Sequence, residues 1–246
     1  MAKIRLDQLL VDRGLVESRT KAQALIMAGH VYSGEKKLEK AGQQVALDFA
    51  VAIRGQDHPW VSRGGLKLEK GLQEFAIDPM GYTCADIGAS TGGFTDVLLT
   101  HGATKVYAVD VGHGQLAWKL RSDDRVVVLE KTNARYLTQE QIPDPIDLVV
   151  CDASFISLKT VLPAALSLVR EGGSLIALIK PQFEAGRQDV GKGGVVRDSA
   201  VHERVCQEIT DWLSGLDDWT VNGVTESPIK GPEGNIEFLV SATKVA

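Results

Sequence analysis

From Leu6 the apolar side chains fall at i, i+3 and i+4 (Leu6, Leu9, Leu10), a spacing that predicts a short amphipathic helix ended by Gly14. Ser18 opens a second helix as its N-cap, with Lys21 at N3 and Ala22, Leu25 and Ile26 as its apolar face; Gly29 stops it. Val31-Tyr32, a turn at Ser33-Gly34 and a β-like piece over Gln44–Leu47 complete a small α+β module over residues 1–60. The polar stretch 54–62, which contains Gly55 and Pro59, reads as a linker, with Trp60 as an anchor against one domain.

Beyond it, over 61–246, the pattern changes. Continuous apolar runs replace alternation: Thr83–Ile87, Lys105–Val109, Val126–Leu129, Ile146–Cys151, Ser174–Ile179 and Ile236–Ala242. Strands buried on both faces read this way. Helical stretches separate them: Gly93–His101, Leu116–Leu120, Leu158–Val169 and Ser199–Gly215. The alternation predicts an α/β fold with a doubly wound, Rossmann-like sheet. Pro181, directly after the fifth run, is expected to end pairing and turn the chain at the sheet edge.

The first strand of that sheet runs into Asp86-Ile87-Gly88-Ala89-Ser90-Thr91-Gly92-Gly93-Phe94. Glycine there lets backbone approach a ligand where a Cβ would clash. A dinucleotide fingerprint needs glycine two residues after Gly88, and Ser90 stands there. The pattern Asp-x-Gly-x-x-x-Gly-Gly instead resembles the first motif of S-adenosylmethionine methyltransferases. That cofactor is cationic and lacks a pyrophosphate, so an acid such as Asp86 is tolerable beside the loop. In such sheets ligands bind beyond the carboxyl ends of the strands. Asp110 closes the second strand and can accept both hydroxyls of a ribose. Asn133 follows the third, where an adenine contact is expected, and Asp152 closes the fourth. The cofactor-binding candidates are therefore Asp86, Gly88, Ala89, Ser90, Thr91, Gly92, Gly93, Phe94, Asp110, Asn133 and Asp152.

Charge is unevenly placed. Residues 1–60 hold nine Lys/Arg against seven Asp/Glu; the remainder holds 18 against 25, giving a net charge of −5. A mildly basic module on an acidic whole confines any nucleic-acid binding to local patches. No apolar run reaches the ~18 residues of a membrane helix, and charge interrupts the N-terminus before any signal-peptide core. Three scattered cysteines form neither a disulfide framework nor a zinc motif and suit a reducing cytoplasm. Five histidines show no metal-ligand spacing, so no metal is expected. Oligomeric state is not legible.

Three resemblances join these observations. Arg5-Leu6-Asp7-Gln8-Leu9-Leu10, Ser18-Arg19-x-Lys21-Ala22 and Ile26-x-Ala28-Gly29-x-Val31 resemble the RNA-binding module of ribosomal small-subunit protein S-four and the pseudouridine synthases. The resemblance implies that the second helix meets RNA phosphates, with Arg19 and Lys21 at its start and Arg5, Lys36 and Lys37 as lesser candidates. Lys67, Asp152, Lys180 and Glu237 resemble the Lys-Asp-Lys-Glu tetrad of FtsJ-related RNA 2′-O-methyltransferases. That implies Lys180 as candidate base or positioning group for a ribose hydroxyl, Lys67 as a neighbouring cation, and the two carboxylates as orienting groups. Arg63–Leu68, Asp86–Asp96, Asp152–Ser157, Lys180–Glu184 and Gly231–Phe238 together look like the TlyA (haemolysin A) family over nearly the whole chain. Membership implies S-adenosylmethionine-dependent 2′-O-methylation of cytidine in ribosomal RNA, with rRNA or ribosomal subunits as partners. The short leader before Arg5 is similar to the shorter family variant, which implies the large subunit. Two rivals stand beside this: a membrane-lytic haemolysin, which predicts a long amphipathic or membrane-spanning segment, and a non-catalytic RNA-binding assembly factor, which predicts a degraded crevice. A base-amino methyltransferase is disfavoured because Asp152-Ala153-Ser154-Phe155 lacks the prolines of the Asn/Asp-Pro-Pro-aromatic motif.

Overall fold

A computed structural model of the chain describes residues 3–16, 18–54 and 58–245. Residues 55–57 of the expected linker lie outside them. The chain divides into two compact units, Met1–Pro59 and Trp60–Ala246.

The first unit runs β1 (Lys3–Arg5), α1 (Leu6–Asp12), α2 (Arg19–Met27), β2 (Val31–Ser33), β3 (Lys36–Lys37), β4 (Gln44–Ala46) and β5 (Ala52–Ile53). β1 pairs antiparallel with β4, and β2 lies between β3 and β5. The predicted helical face is the core: Leu6, Leu9 and Leu10 pack with Ala22, Ile26 and Val31. Ser18 caps α2 as expected, its Oγ accepting the Lys21 N–H at 3.2 Å.

The second unit opens with α3 (Gly65–Glu74), β6 (Thr83–Ile87), α4 (Gly93–Thr100), β7 (Lys105–Val109), α5 (Trp118–Arg121) and β8 (Val126–Leu129). It continues through β9 (Ile146–Cys151), α6 (Leu158–Ser167), β10 (Val169–Ile179), α7 (Pro181–Glu184), α8 (Ser199–Ser214), β11 (Trp219–Glu226) and β12 (Phe238–Lys244). These strands form one sheet in the order β11-β12-β10-β9-β6-β7-β8. Strands β10 to β8 in that order are parallel neighbours, and β12 runs antiparallel to both its partners.

Successive residues of the central strands enter opposite cores, which is why they read as unbroken apolar runs. Val149 and Cys151 of β9 join α6 and α8 on one face, whereas Leu148 and Val150 join α3, α4 and α5 on the other. The sheet is therefore doubly wound, as the alternation predicts. Trp60 is buried in the second of these cores.

Three local readings change. β11 is absent from the predicted strands; Asn222 and Gly223 interrupt its pattern where the ladder shifts register between Val221 and Gly223. The last strand begins at Phe238 rather than Ile236, because Asn235 is drawn away to accept from Val196 N–H and donate to the Gly194 carbonyl. Pro181 lies at no sheet edge. β10 is interior, and Pro181 takes N1 of α7, where its missing N–H costs nothing.

Candidate active site

β10 and β12 stop pairing at Ile179 and Phe238. Lys180 and Glu237, one residue beyond that last pair, leave the ladder together. β9, the parallel neighbour of β10, delivers Asp152 one residue past its own end. Lys67 comes from the first turn of α3, on the same side of the sheet as Leu68 and Leu72. The four predicted residues meet. Lys67 Nζ donates to Glu237 at 2.7 Å and lies 3.4 Å from Asp152 Oδ2. Lys180 Nζ lies 2.6 Å from Asp152 Oδ1 and also reaches Ser154 Oγ at 2.9 Å and the Asp152 carbonyl at 3.3 Å. Asp152 thus bridges two ammonium groups, and two lysines are balanced by two carboxylates. Both lysines and Glu237 are almost wholly buried.

This cluster floors a cavity of about 440 Å³, walled on its far side by Gly88–Thr91 and Asp86. Gly88 has φ +83°, and a Cβ on it would lie 3.1 Å from the Ala153 backbone. The glycine therefore allows the loop after β6 to lie directly on the loop after β9. Gly93 permits a second close approach, since a Cβ there would meet Ser62 Oγ at 2.3 Å and Gly65 N at 3.0 Å. Gly92 does not face the cavity; it covers Leu116 and Leu120. Phe94 lines the cavity but is itself buried in the core.

A second cavity of about 480 Å³ shares Gly88, Ser90, Asp152, Ser154 and Phe155 with the first. Asp110 and Asn133 line it, with Ile156 and Val161 as apolar wall. Asp110 is already engaged: Oδ2 accepts from Ser90 N–H at 2.8 Å and Oδ1 from Gly112 N–H at 2.6 Å. It ties the two ligand-side loops together and keeps lone pairs for a further donor. Asn133 Oδ1 accepts from Arg135 N–H, capping the turn Ala134–Tyr136.

Asp86 is fully buried. Its Oδ2 accepts from the backbone and hydroxyl of Thr95 at 3.0 and 2.7 Å, while Oδ1 has no partner. Burial pushes its carboxyl up to about 7; the Thr95 hydrogen bonds oppose the rise and the Asp152 charge adds to it. A buried carboxylate oxygen without a donor, on the wall of a cavity, fits a cationic ligand group. The unpartnered Asp86 oxygen, the glycine loop and the second cavity lined by Asp110 and Asn133 fit a cationic nucleoside cofactor such as S-adenosylmethionine.

Sequence reasoning gave no role to Ser62, Ser154, Gln182, Phe183 or Phe155, all of which line the first cavity. Phe155 stands out only in the structure, where this large apolar side chain is 87% exposed at φ +64°.

In the first unit, Arg5 and Arg19 converge on a buried acid. Arg5 forms two 2.9 Å hydrogen bonds with Asp7, and Arg19 reaches the same carboxylate at 3.1 Å. Gln23 donates to it as well, at 2.8 Å. The Arg5 hydrogen bonds hold the Asp7 carboxyl well below the usual carboxylate range, against the effect of its burial. Both guanidinium groups remain about half exposed. Lys21 stands on the first turn of α2, apart from this cluster.

Residues 60–244 match the FtsJ-like methyltransferase family. The chain belongs to that family. As an FtsJ-like methyltransferase it carries a second match, an S4 domain over residues 4–48. It is 47% identical over 239 residues to the 16S/23S rRNA (cytidine-2'-O)-methyltransferase TlyA of Mycobacterium tuberculosis, covering 97% of this chain and 89% of that one. It is 45% identical to Hemolysin A of Brachyspira hyodysenteriae, over 96% of this chain and 98% of the other. The solved structure of a protein named as a hemolysin from Streptococcus thermophilus superposes with a TM-score of 0.77 at 44% identity, covering 100% of this chain and 90% of that one. Among the described residues no helix of this methyltransferase is long and apolar enough to cross a membrane, and no group of His, Cys, Asp and Glu could hold a metal.

Proposed function

We propose that this chain is a cytoplasmic enzyme that methylates a ribose 2′-hydroxyl of ribosomal RNA, at cytidine, with S-adenosylmethionine as methyl donor. One observation carries the reading: Lys67, Asp152, Lys180 and Glu237 form a connected ionic cluster where the two cavities share a wall. Bound there, S-adenosylmethionine supplies a methyl carbon activated by its sulfonium.

The chain's own groups supply the rest. Asp86, the Gly88–Gly93 loop, Asp110 and Asn133 hold the donor. Lys180 meets the acceptor hydroxyl. An ion-paired ammonium has donors and no lone pair, so Lys180 orients that hydroxyl and stabilises charge developing on its oxygen, and the hydroxyl proton is given up to solvent as the oxygen accepts the methyl group. Lys67 and Glu237 fix Asp152, which in turn fixes Lys180. Alignment of acceptor oxygen and methyl carbon supplies the remaining acceleration. Residues 1–60 serve as the RNA-binding domain, with Arg5, Arg19 and Lys21 on phosphates, and 61–246 as the methyltransferase domain.

The test is transfer from methyl-labelled S-adenosylmethionine to rRNA or isolated ribosomal subunits, followed by nucleoside mass spectrometry. The expected product is 2′-O-methylcytidine, lost in Lys180→Ala while donor affinity stays within about twofold. Label on a base, or an undiminished rate in Lys180→Ala, overturns the reading.

A further inference from the structure

Lys180 has more partners than the tetrad supplies. Its ammonium donates to Ser154 Oγ at 2.9 Å and to the Asp152 carbonyl at 3.3 Å, and Asp152 Oδ1 lies 2.6 Å away as an ion-pair partner. Of the two hydrogen bonds the one to Ser154 is the shorter, and hydrogen bonds weaken with length, so the one to the Asp152 carbonyl is the weaker. It is the bond most easily surrendered to an incoming hydroxyl.

We propose that Ser154 is a positioning residue that fixes Lys180 through its hydroxyl, leaving the donor on the Asp152 carbonyl for the acceptor. Ser154 is placed for this. It is exposed, and it lies on the wall common to both cavities. Its loop also makes contacts on the far side. Phe155 is left-handed at φ +64°, and its ring packs on Phe183 with centroids 4.9 Å apart. Two residues further on, Glu184 accepts from Ser157 Oγ at 2.6 Å and from Leu158 N–H at 2.8 Å. The 152–158 loop is therefore tied to the 180–184 segment at Lys180, Phe183 and Glu184 in succession. The Ser154–Lys180 bond is the member of that series that touches the ionic cluster.

The hold on Lys180 is a property of the protein alone; its catalytic consequence rests on the proposed ribose methylation. The experiment separates the two with Ser154→Ala, Ser154→Cys and Ser154→Thr. Thr keeps a hydroxyl acceptor, Cys keeps the size but accepts weakly, and Ala has neither. In the free protein, acetylation of Lys180 by an amine-reactive ester is followed by peptide mass spectrometry, with exposed Lys131 as reference. We expect Lys180 to react several-fold faster in the Ala and Cys variants and at the wild-type rate in Thr. With rRNA acceptor, kcat should fall about tenfold in Ala and Cys, with KM for RNA within twofold, and Thr should restore it. Equal labelling across all variants overturns the proposal. So does a loss in which Thr is as poor as Ala and the melting temperature falls in parallel, because that assigns a structural role. If wild type makes no methylated ribose but the labelling pattern holds, ribose methylation fails and the hold of Ser154 on Lys180 stands.

Discussion

Replacing Lys67 by Met should cost the second unit about 3–5 kcal/mol, the range for stripping one partner from a buried ion pair. Lys67 and Glu237 lie 2.7 Å apart with side chains only 8% and 1% exposed. Without Lys67, Glu237 is left as a buried acid that has lost its 2.7 Å cationic partner, and the cluster's formal charge changes from zero to one negative in excess. Against a total stability of about 5–15 kcal/mol for a typical domain, the loss is large. Replacing both residues tells a different story. Lys67→Met with Glu237→Met removes the pair without leaving an orphan charge, and such exchanges are often neutral or stabilising. The double variant should return to within about 1 kcal/mol of wild type, yet remain inactive because Asp152 loses its restraint. Urea unfolding followed by tryptophan fluorescence is the assay. All four tryptophans, Trp60, Trp118, Trp212 and Trp219, lie in the second unit, so the signal isolates it. The reasoning fails if Lys67→Met loses less than about 1 kcal/mol, or if the double variant is no more stable than the single one.

Asp86→Asn should keep both Thr95 hydrogen bonds but weaken S-adenosylmethionine about 10–100-fold, the worth of a bond to a charged group; titration calorimetry measures it. In wild type the Asp86 carboxyl is raised to about 7, so donor affinity should fall as pH drops through 7. The fold responds in the opposite sense: a raised carboxyl favours the folded state at low pH, and that contribution is lost as pH rises from about 4 towards 7. Asp86→Asn should therefore flatten the pH dependence of melting across this window. Gly88→Ala forces a left-handed alanine, at about 1–2 kcal/mol, and pushes on Ala153, so donor binding should fail while the fold survives; circular dichroism and calorimetry together check this. Arg19→Ala should weaken RNA binding and lower the salt slope of log K by roughly one, with little loss of stability because Arg5 still holds Asp7; filter binding across a salt series decides.

The parallel strands were legible to the residue over β6, β7, β8 and β9, because each is a nearly continuous apolar run in which single polar residues such as Asp86 and Asp147 do not restore a two-residue period. β11 was not, since Asn222 and Gly223 break its pattern. The cluster members were legible through the tetrad they resemble, Lys67 in a helix and the other three beside strand ends, but their pairing was not. Nothing in the order of residues says that Asp152 bridges both lysines or that Ser154 joins them. Asp7 escaped for a related reason. It sits within the apolar start of α1, and an acid there reads as solvated until the fold brings Arg5, Arg19 and Gln23 around it. Partner choice is a property of three-dimensional proximity, and composition and periodicity do not encode it.

The place of β12 between β10 and β11 sets a timetable for synthesis on the ribosome. The glycine loop, Asp110, Asn133 and Asp152 all emerge before Lys180, yet Lys67 waits for its shorter ion-pair partner, Glu237, 170 positions later in the chain. Until Phe238–Lys244 slots into the sheet, the flank of β10 is open and Lys67 has no Glu237. A nascent chain can thus bring together the walls of the second cavity, whose lining ends at Val161, well before Glu237 completes the first. The cluster's two pairs with Asp152 can form early, and its Glu237 pair closes only with the arrival of the segment that leads into β12.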